Sequence, residues 1–267
     1  MTKLPYMVLH FMPINMLNKS FRLFYIFPLV CLLFFSNKTL GKDLHIAVAS
    51  NFNHAIQEIA HRFETKTGHK VILIFGSSGK HYTQIINGAP FDLFFSADTT
   101  RPYLLEKKGY IQAGSRFTYA IGQLVLWSPN SHLIDKTAQI LHSTQFRFLA
   151  VANPKLAPYG KAAQQILSKQ GLWTKLRSRM VRGENIGQTF QFVKSGNAEL
   201  GFVALSQIKT PNQPLKGSYW KPDQSLYDPI QQQAVLLKEK PIARAFLKYI
   251  KQDEALAIIH AYGYKTP

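Results

Sequence analysis

Residues 74–82, IFGSSGKHY, set two serines between two glycines, after an apolar run of β-forming residues and before a lysine and a histidine. Three chemistries use such parts: a phosphate-binding loop, a serine nucleophile with its base, and a cradle of neutral donors for a small anion. A Walker loop needs G-x-x-x-x-G-K-[ST], so that a long arc wraps the phosphates and the hydroxyl after the lysine reaches magnesium. Gly76 and Gly79 stand too close for that arc, and His81 occupies the hydroxyl's place. A hydrolase elbow reads G-x-S-x-G; Gly76-Ser77-Ser78-Gly79 lacks that register, and no acid stands out as a partner for His81. An exported serine hydrolase using Ser77 or Ser78 stays open as the enzyme alternative, but the expectation is a protein with no catalytic residues.

The third chemistry follows from where the loop lies. A strand-to-helix turn exposes the first N–H groups of the helix, which have no acceptor in their own helix and sit at the positive end of its dipole. Anions bind there. Glycine lets the backbone approach, and serine hydroxyls add donors without charge. Alone, Ser77 or Ser78 reads first as a helix cap. The loop is not alone, because VASNFN (48–53) ends another strand with Ser50 and Asn51 opening a helix. Further along, NPKLAPYGKAA puts Tyr159, and GENIGQ puts Ile186, at the starts of two more helices. Ligands of open α/β sheets bind outside the carboxyl ends of strands, so these turns can converge on one small anion.

The elements that must position those residues alternate. DLHIAVAS, HKVILIF and FDLFFSAD read as strands, separated by helices with apolar residues at helical spacing, such as Phe52, Ala55, Ile56, Ile59, Ala60 and Phe63. That order predicts parallel βαβ units with a doubly wound sheet. FTYAIGQLVLWSP is β-rich without helical period and can pass from one lobe to another. FRFLAVAN, MVRGEN and LGFVAL, with their helices, repeat the architecture; Lys209–Gln224 reads as loop from its breakers, and QQQAVLL as a second crossing strand. The expectation is α/β, two lobes joined by two crossing strands with a ligand cleft between them: lobe 1 from 42–122 plus 229–267, lobe 2 from 123–228.

Composition narrows the class of partner. The first forty residues hold no acid, carry Lys19 and Arg22, and then run LFYIFPLVCLLFF, too short to span a bilayer comfortably. This reads as a secretory signal peptide over 1–41, with a periplasmic address; an uncleaved anchor is the alternative. Cys31 is the only cysteine and falls within that segment, which removes disulfides, thiolate metal sites and a cysteine nucleophile. The net charge is +18, and four of the 32 Lys and Arg but none of the 14 acids precede residue 42, leaving a surplus of 14 positive charges. Such a surplus favours anionic partners. No zinc-ligand spacing or RNA-binding aromatic motif is present, so no nucleic acid is expected. His54 and His61, with His45, His69 and His81 nearby, lack metal-site spacing and read as solvated; no metal site and no cofactor are expected.

Taken together, ASNF, GSSGKHYTQIINGAPFDLFFSAD, GSRFTYAIGQLVLWS, NPKLAPYGKAA and LGFVALSQI resemble the periplasmic molybdate-binding proteins that feed ABC transporters. The resemblance spans essentially all of the chain after the proposed signal. It implies a type II periplasmic binding fold, a ligand of molybdate or tungstate held by neutral hydrogen-bond donors, an ABC transporter permease in the inner membrane as partner, and a monomer. Carried over by position, the ligand-binding residues are Ser50 with Asn51, Ser78 with Ser77, and the backbone N–H groups of Tyr159 and Ile186. One branch of the family uses a tyrosine hydroxyl where this chain has Ala204, which places the chain in the branch with GSSG and APYG. Lys80 is expected to face solvent and to steer rather than coordinate. Receptors for sulfate, thiosulfate or phosphate are the nearest alternatives.

Overall fold

The computed structural model describes residues 43–266. The proposed signal peptide lies outside the described residues.

The chain opens with β1 (Leu44–Ala49), which turns through a short 3-10 helix over Ser50–Phe52 into α1 (Asn53–Thr67). Helix α1 buries Ala55, Ile56, Ile59, Ala60 and Phe63 along one stripe, and Gly68 stops it with a left-handed φ of 71° and an N–H bonded to Glu64 O. Next come β2 (Val71–Gly76), α2 (Ser78–Ile86), β3 (Leu93–Ser96), α3 (Thr100–Lys107), β4 (Phe117–Gly122) and β5 (Leu124–Ser128). The second half contains β6 (Leu149–Ala152), α4 (Pro158–Lys169), β7 (Met180–Gly183), α5 (Ile186–Lys194), β8 (Leu200–Ala204), α6 (Leu205–Ile208) and β9 (Ser218–Trp220). The chain finishes with β10 (Ile230–Leu236), α7 (Pro241–Ile250) and α8 (Asp253–Ala261).

Two five-stranded sheets result, in the orders β2-β1-β3-β10-β4 and β7-β6-β8-β5-β9. Strand β1 is parallel to β2 and β3, and β6 is parallel to β7 and β8, as βαβ connections require. The sheets are nevertheless mixed: β10 runs antiparallel to β3 and β4, and β5 antiparallel to β8 and β9. A strand that arrives from the other lobe enters its new sheet against the βαβ direction. The β-rich run over 117–129 is two strands parted at Gln123, one in each sheet. Gln123 is held at this crossing by its side-chain Nε2 donating to Gly263 O at 2.6 Å and by its backbone carbonyl accepting from Leu205 N at 2.9 Å. Strand β10 lies wholly in the first sheet, so the return crossing is made by the segment before it. The expected loop over 209–224 contains the short edge strand β9.

Alternation along the strands fills a core on each face of each sheet. Leu93 and Phe95 of β3 point into one core with Phe52, Phe63 and Phe246, while Phe94 between them points into another with Ile85 and Leu105. The second sheet repeats this, with Leu124 and Leu126 on one side and Val125 and Trp127 on the other. Burial of each such side chain contributes about 1.5–3 kcal/mol, so the strand ends that carry the site rest on rigid layers. No helix among the described residues is long and apolar enough to cross a membrane.

Candidate functional site

Four helix starts face each other where the two sheets end. Between them lies a cavity of about 10 Å³, lined by Ala49, Ser50, Asn51, Gly76, Ser77, Ser78, Ala97, Ala157, Pro158, Tyr159 and Ile186. All six residues singled out from the sequence, Ser50, Asn51, Ser77, Ser78, Tyr159 and Ile186, are on its wall. The first four come from the β1 and β2 ends, the last two from the starts of α4 and α5. No lining residue carries a formal charge.

Local chemistry sets the direction of the donors. Ser77 is the N-cap of α2, its Oγ accepting from Lys80 N at 3.3 Å. Ser78 Oγ accepts from Ala97 N at 2.9 Å, a bond from the end of β3. In both serines the oxygen is held as an acceptor by a backbone amide, which leaves the hydroxyl proton to donate elsewhere. Asn185 caps α5 by accepting from Gln188 N at 2.9 Å, and Pro158 opens α4. The amides of Tyr159 and Ile186 therefore stand in first-turn positions that have no acceptor within their own helices.

The lobes touch around this cavity. Ser50 Oγ donates to Asn185 Oδ1 at 3.1 Å and accepts from Gly187 N at 3.0 Å. On the other side Gly79 N donates to Leu156 O at 2.9 Å, and Arg101, paired with Asp98, donates through Nη2 to Lys155 O at 3.0 Å. Glycine at 187 permits the approach of Ser50, since a Cβ there would lie 3.0 Å from Asn185 Oδ1 and 3.1 Å from Ser50 Cβ, tighter than ordinary contact. Behind the wall, Asn51 Nδ2 donates to Gln232 Oε1 at 2.7 Å and to the Tyr264 hydroxyl at 3.0 Å. The side-chain donors of Asn51 thus serve the interior, and among the described residues its Oδ1 is buried without a partner. Burial pushes the Tyr119, Tyr159 and Tyr264 hydroxyls up from their ordinary pKa, so this interior network stays neutral.

Lys80 is exposed and absent from the cavity wall. His54 and His61 are exposed on α1, but His81 is buried, against the expectation of a solvated ring. It packs on the Cα of Gly76, where a Cβ would come within 2.9 Å of Nε2. Its nitrogens face Val48 O at 3.1 Å and Gln84 Oε1 at 3.0 Å, and desolvation lowers its pKa. Among the described residues no group of three or more His, Cys, Asp or Glu could hold a metal ion. Ala204 is buried at the end of β8 and does not line the cavity. Sequence reasoning missed Asn185, Ala97 and Gln232. Only Asn185 carried a local signal, as an N-cap residue directly before IGQ.

An uncharged cavity lined by serines and helix starts, held between two α/β lobes at the carboxyl ends of their strands, defines a two-lobed solute-binding protein. The chain belongs to the family of bacterial extracellular solute-binding proteins, which it matches over residues 44–265. It is 49% identical over 225 residues to the molybdate-binding protein ModA of Azotobacter vinelandii, covering 83% of this chain and 89% of that one. The ModA of Rhodobacter capsulatus is 46% identical over 223 residues, with 82% and 87% covered. The solved structure of the Azotobacter vinelandii periplasmic molybdate-binding protein superposes with a TM-score of 0.82 at 43% identity, covering 84% of this chain and 99% of that one.

Proposed function

We propose that this protein is a periplasmic receptor that captures molybdate or tungstate between its lobes and delivers it to an ABC transporter permease in the inner membrane. The observation that carries the reading is the convergence of Ser50, Asn51, Ser77, Ser78, Tyr159 and Ile186, from both lobes, on one cavity with no charged side chain on its wall. The molybdate-binding names of its relatives at 49% and 46% identity supply the ligand class.

Neutral donors suffice for a dianion. A hydrogen bond to a charged group contributes about 1.5–3 kcal/mol net, so about seven hydroxyl and amide donors contribute on the order of 10–20 kcal/mol before desolvation and closure. Molybdate, tungstate and sulfate offer acceptors only, whereas phosphate near neutral pH keeps a proton that a shell of donors leaves unpaired, which disfavours it. The cavity of about 10 Å³ has the room of a single water. An oxyanion therefore enters with the lobes apart, and because its donors are divided between the lobes, binding shifts the population toward closure. The closed monomer is then the form the permease recognises. His81 engages Val48 O and Gln84 Oε1 rather than either serine, which supports the binding reading over a serine nucleophile.

Thermal denaturation with a panel of oxyanions tests the proposal. A ligand at a thousandfold excess over its Kd adds about 4 kcal/mol of stability. Molybdate and tungstate are expected to raise the midpoint well above sulfate, thiosulfate or phosphate; an equal rise with sulfate refutes the assignment.

A further inference from the structure

We propose that Gln232 is a positioning residue for the oxyanion site, acting through Asn51 and Tyr159 to set the span between its two halves and so its preference for oxyanion size. The inference rests on the oxyanion reading above.

Gln232 sits on β10, between β3 and the edge strand β4 of the first sheet, with no exposed surface. A buried amide is costly unless its polar atoms find partners, and here both ends do. Oε1 accepts from Asn51 Nδ2 at 2.7 Å and from the Tyr119 hydroxyl at 3.0 Å, while Nε2 donates to the Tyr159 hydroxyl at 3.2 Å. Two donors on Oε1 fix which way the amide faces. Asn51 and Tyr159 are cavity-wall residues of opposite lobes, so a single side chain is bonded to both walls from behind.

The backbone is adapted to this contact. In the β10–β4 ladder Gln232 pairs with Ala120 and Gln233 with Thr118, so Tyr119 is skipped as a bulge. Bulges re-aim side chains, and this one brings the Tyr119 hydroxyl to Gln232. At Gly122, the last residue of β4 before the crossing, a Cβ would collide with the Tyr159 hydroxyl and lie 2.7 Å from Gln232 Nε2. If this position served packing alone, an apolar side chain of similar volume would fill it without needing three polar partners. The polar arrangement ties the approach of α4 toward the first sheet to the placement of Asn51. That approach determines how far the amides of Tyr159 and Ile186 stand from the Ser78 hydroxyl and from the turn at Ser50.

The test is titration calorimetry of molybdate, tungstate and sulfate into the wild-type protein, Gln232→Met, Tyr159→Phe and the double variant, with urea unfolding of each ligand-free protein alongside. Tyr159→Phe deletes only the hydroxyl and leaves the backbone amide at the wall, so it tests the link even if Gln232→Met folds poorly. Each single variant is expected to lose about tenfold in molybdate affinity, the value of about one hydrogen bond, and to narrow the ratio of molybdate to sulfate affinity. The double variant is expected to lose no more than the worse single variant, because both break the same link. Unchanged affinities and ratio with a lowered unfolding midpoint would make Gln232 a packing residue, and additive losses would separate it from Tyr159; either overturns the inference. A wild-type protein that prefers another oxyanion overturns the molybdate assignment, while the same comparison still decides the role of Gln232. One that binds no oxyanion overturns both.

Discussion

Removing the Ser78 hydroxyl separates two roles that the structure gives to one oxygen. Ser78 is fully buried, and its Oγ accepts from Ala97 N at 2.9 Å. That bond braces the end of β3 against the start of α2 and leaves the hydroxyl proton free for a ligand. Ser78→Ala leaves the Ala97 amide buried without its acceptor, which costs the ligand-free protein about 1–3 kcal/mol. It also deletes one charge-assisted donor to the anion, about 1.5–3 kcal/mol, equivalent to roughly a 10- to 150-fold rise in Kd. Urea unfolding without ligand reads the first effect, and calorimetric titration of the folded variant with molybdate reads the second. Ser77→Ala gives the capping effect beside it: its Oγ accepts from Lys80 N, so losing the cap lowers the stability of the ligand-free protein by about 1 kcal/mol, separately from any loss of a donor to the anion. If Ser78→Ala is destabilised but binds molybdate as tightly as the wild type, Ser78 is a brace and not a ligand, and the cage as drawn is wrong.

Three further outcomes are expected. Gly79→Ala places a Cβ 3.0 Å from both Cα and O of Leu156, so it wedges the lobes; small-angle scattering with saturating molybdate should give a larger radius of gyration than wild type, and an unchanged one contradicts the closure geometry. Burial lowers the pKa of His81, so the folded state holds the neutral ring and its contribution is complete above the unfolded value of about 6.5. Stability should then fall as pH drops below 6.5, with a shallower fall in His81→Gln; parallel curves count against this account. Glu254 is held down to about 2 by hydrogen bonds from Lys66, Tyr249 and Arg62. Whatever stability it lends is present above its ordinary range near 4.5 and lost as pH falls toward 2, and an NMR titration showing an ordinary carboxylate midpoint would remove that cluster.

Much of the architecture was legible because its causes are local. The apolar stripe from Ala55 to Phe63 and the stop at Gly68 announce α1, and the β-formers before GSSG announce β2. Each site turn also carried its own mark: a serine, an asparagine, or a proline and glycine beside the first helical residues. By contrast, the three residues of β9 lie in a stretch rich in loop formers and become a strand only by pairing with Leu126–Ser128. His81 looked solvated because burial depends on Gly76 and Val48 closing over it. The direction of β10 depends on the lobe from which the chain returns.

The sequence by itself determined that four helices begin with donors and little charge, since capping and glycine conformations are decided within a few residues. Tertiary structure alone decided that these starts meet, because their distances depend on strand order and on where the chain crosses between sheets. It also decided that the middle of a glutamine run became a buried joint. A glutamine in a strand faces core or solvent according to its register and neighbours, and here a bulge at Tyr119 and a missing Cβ at Gly122 made room for Gln232 to reach both lobes.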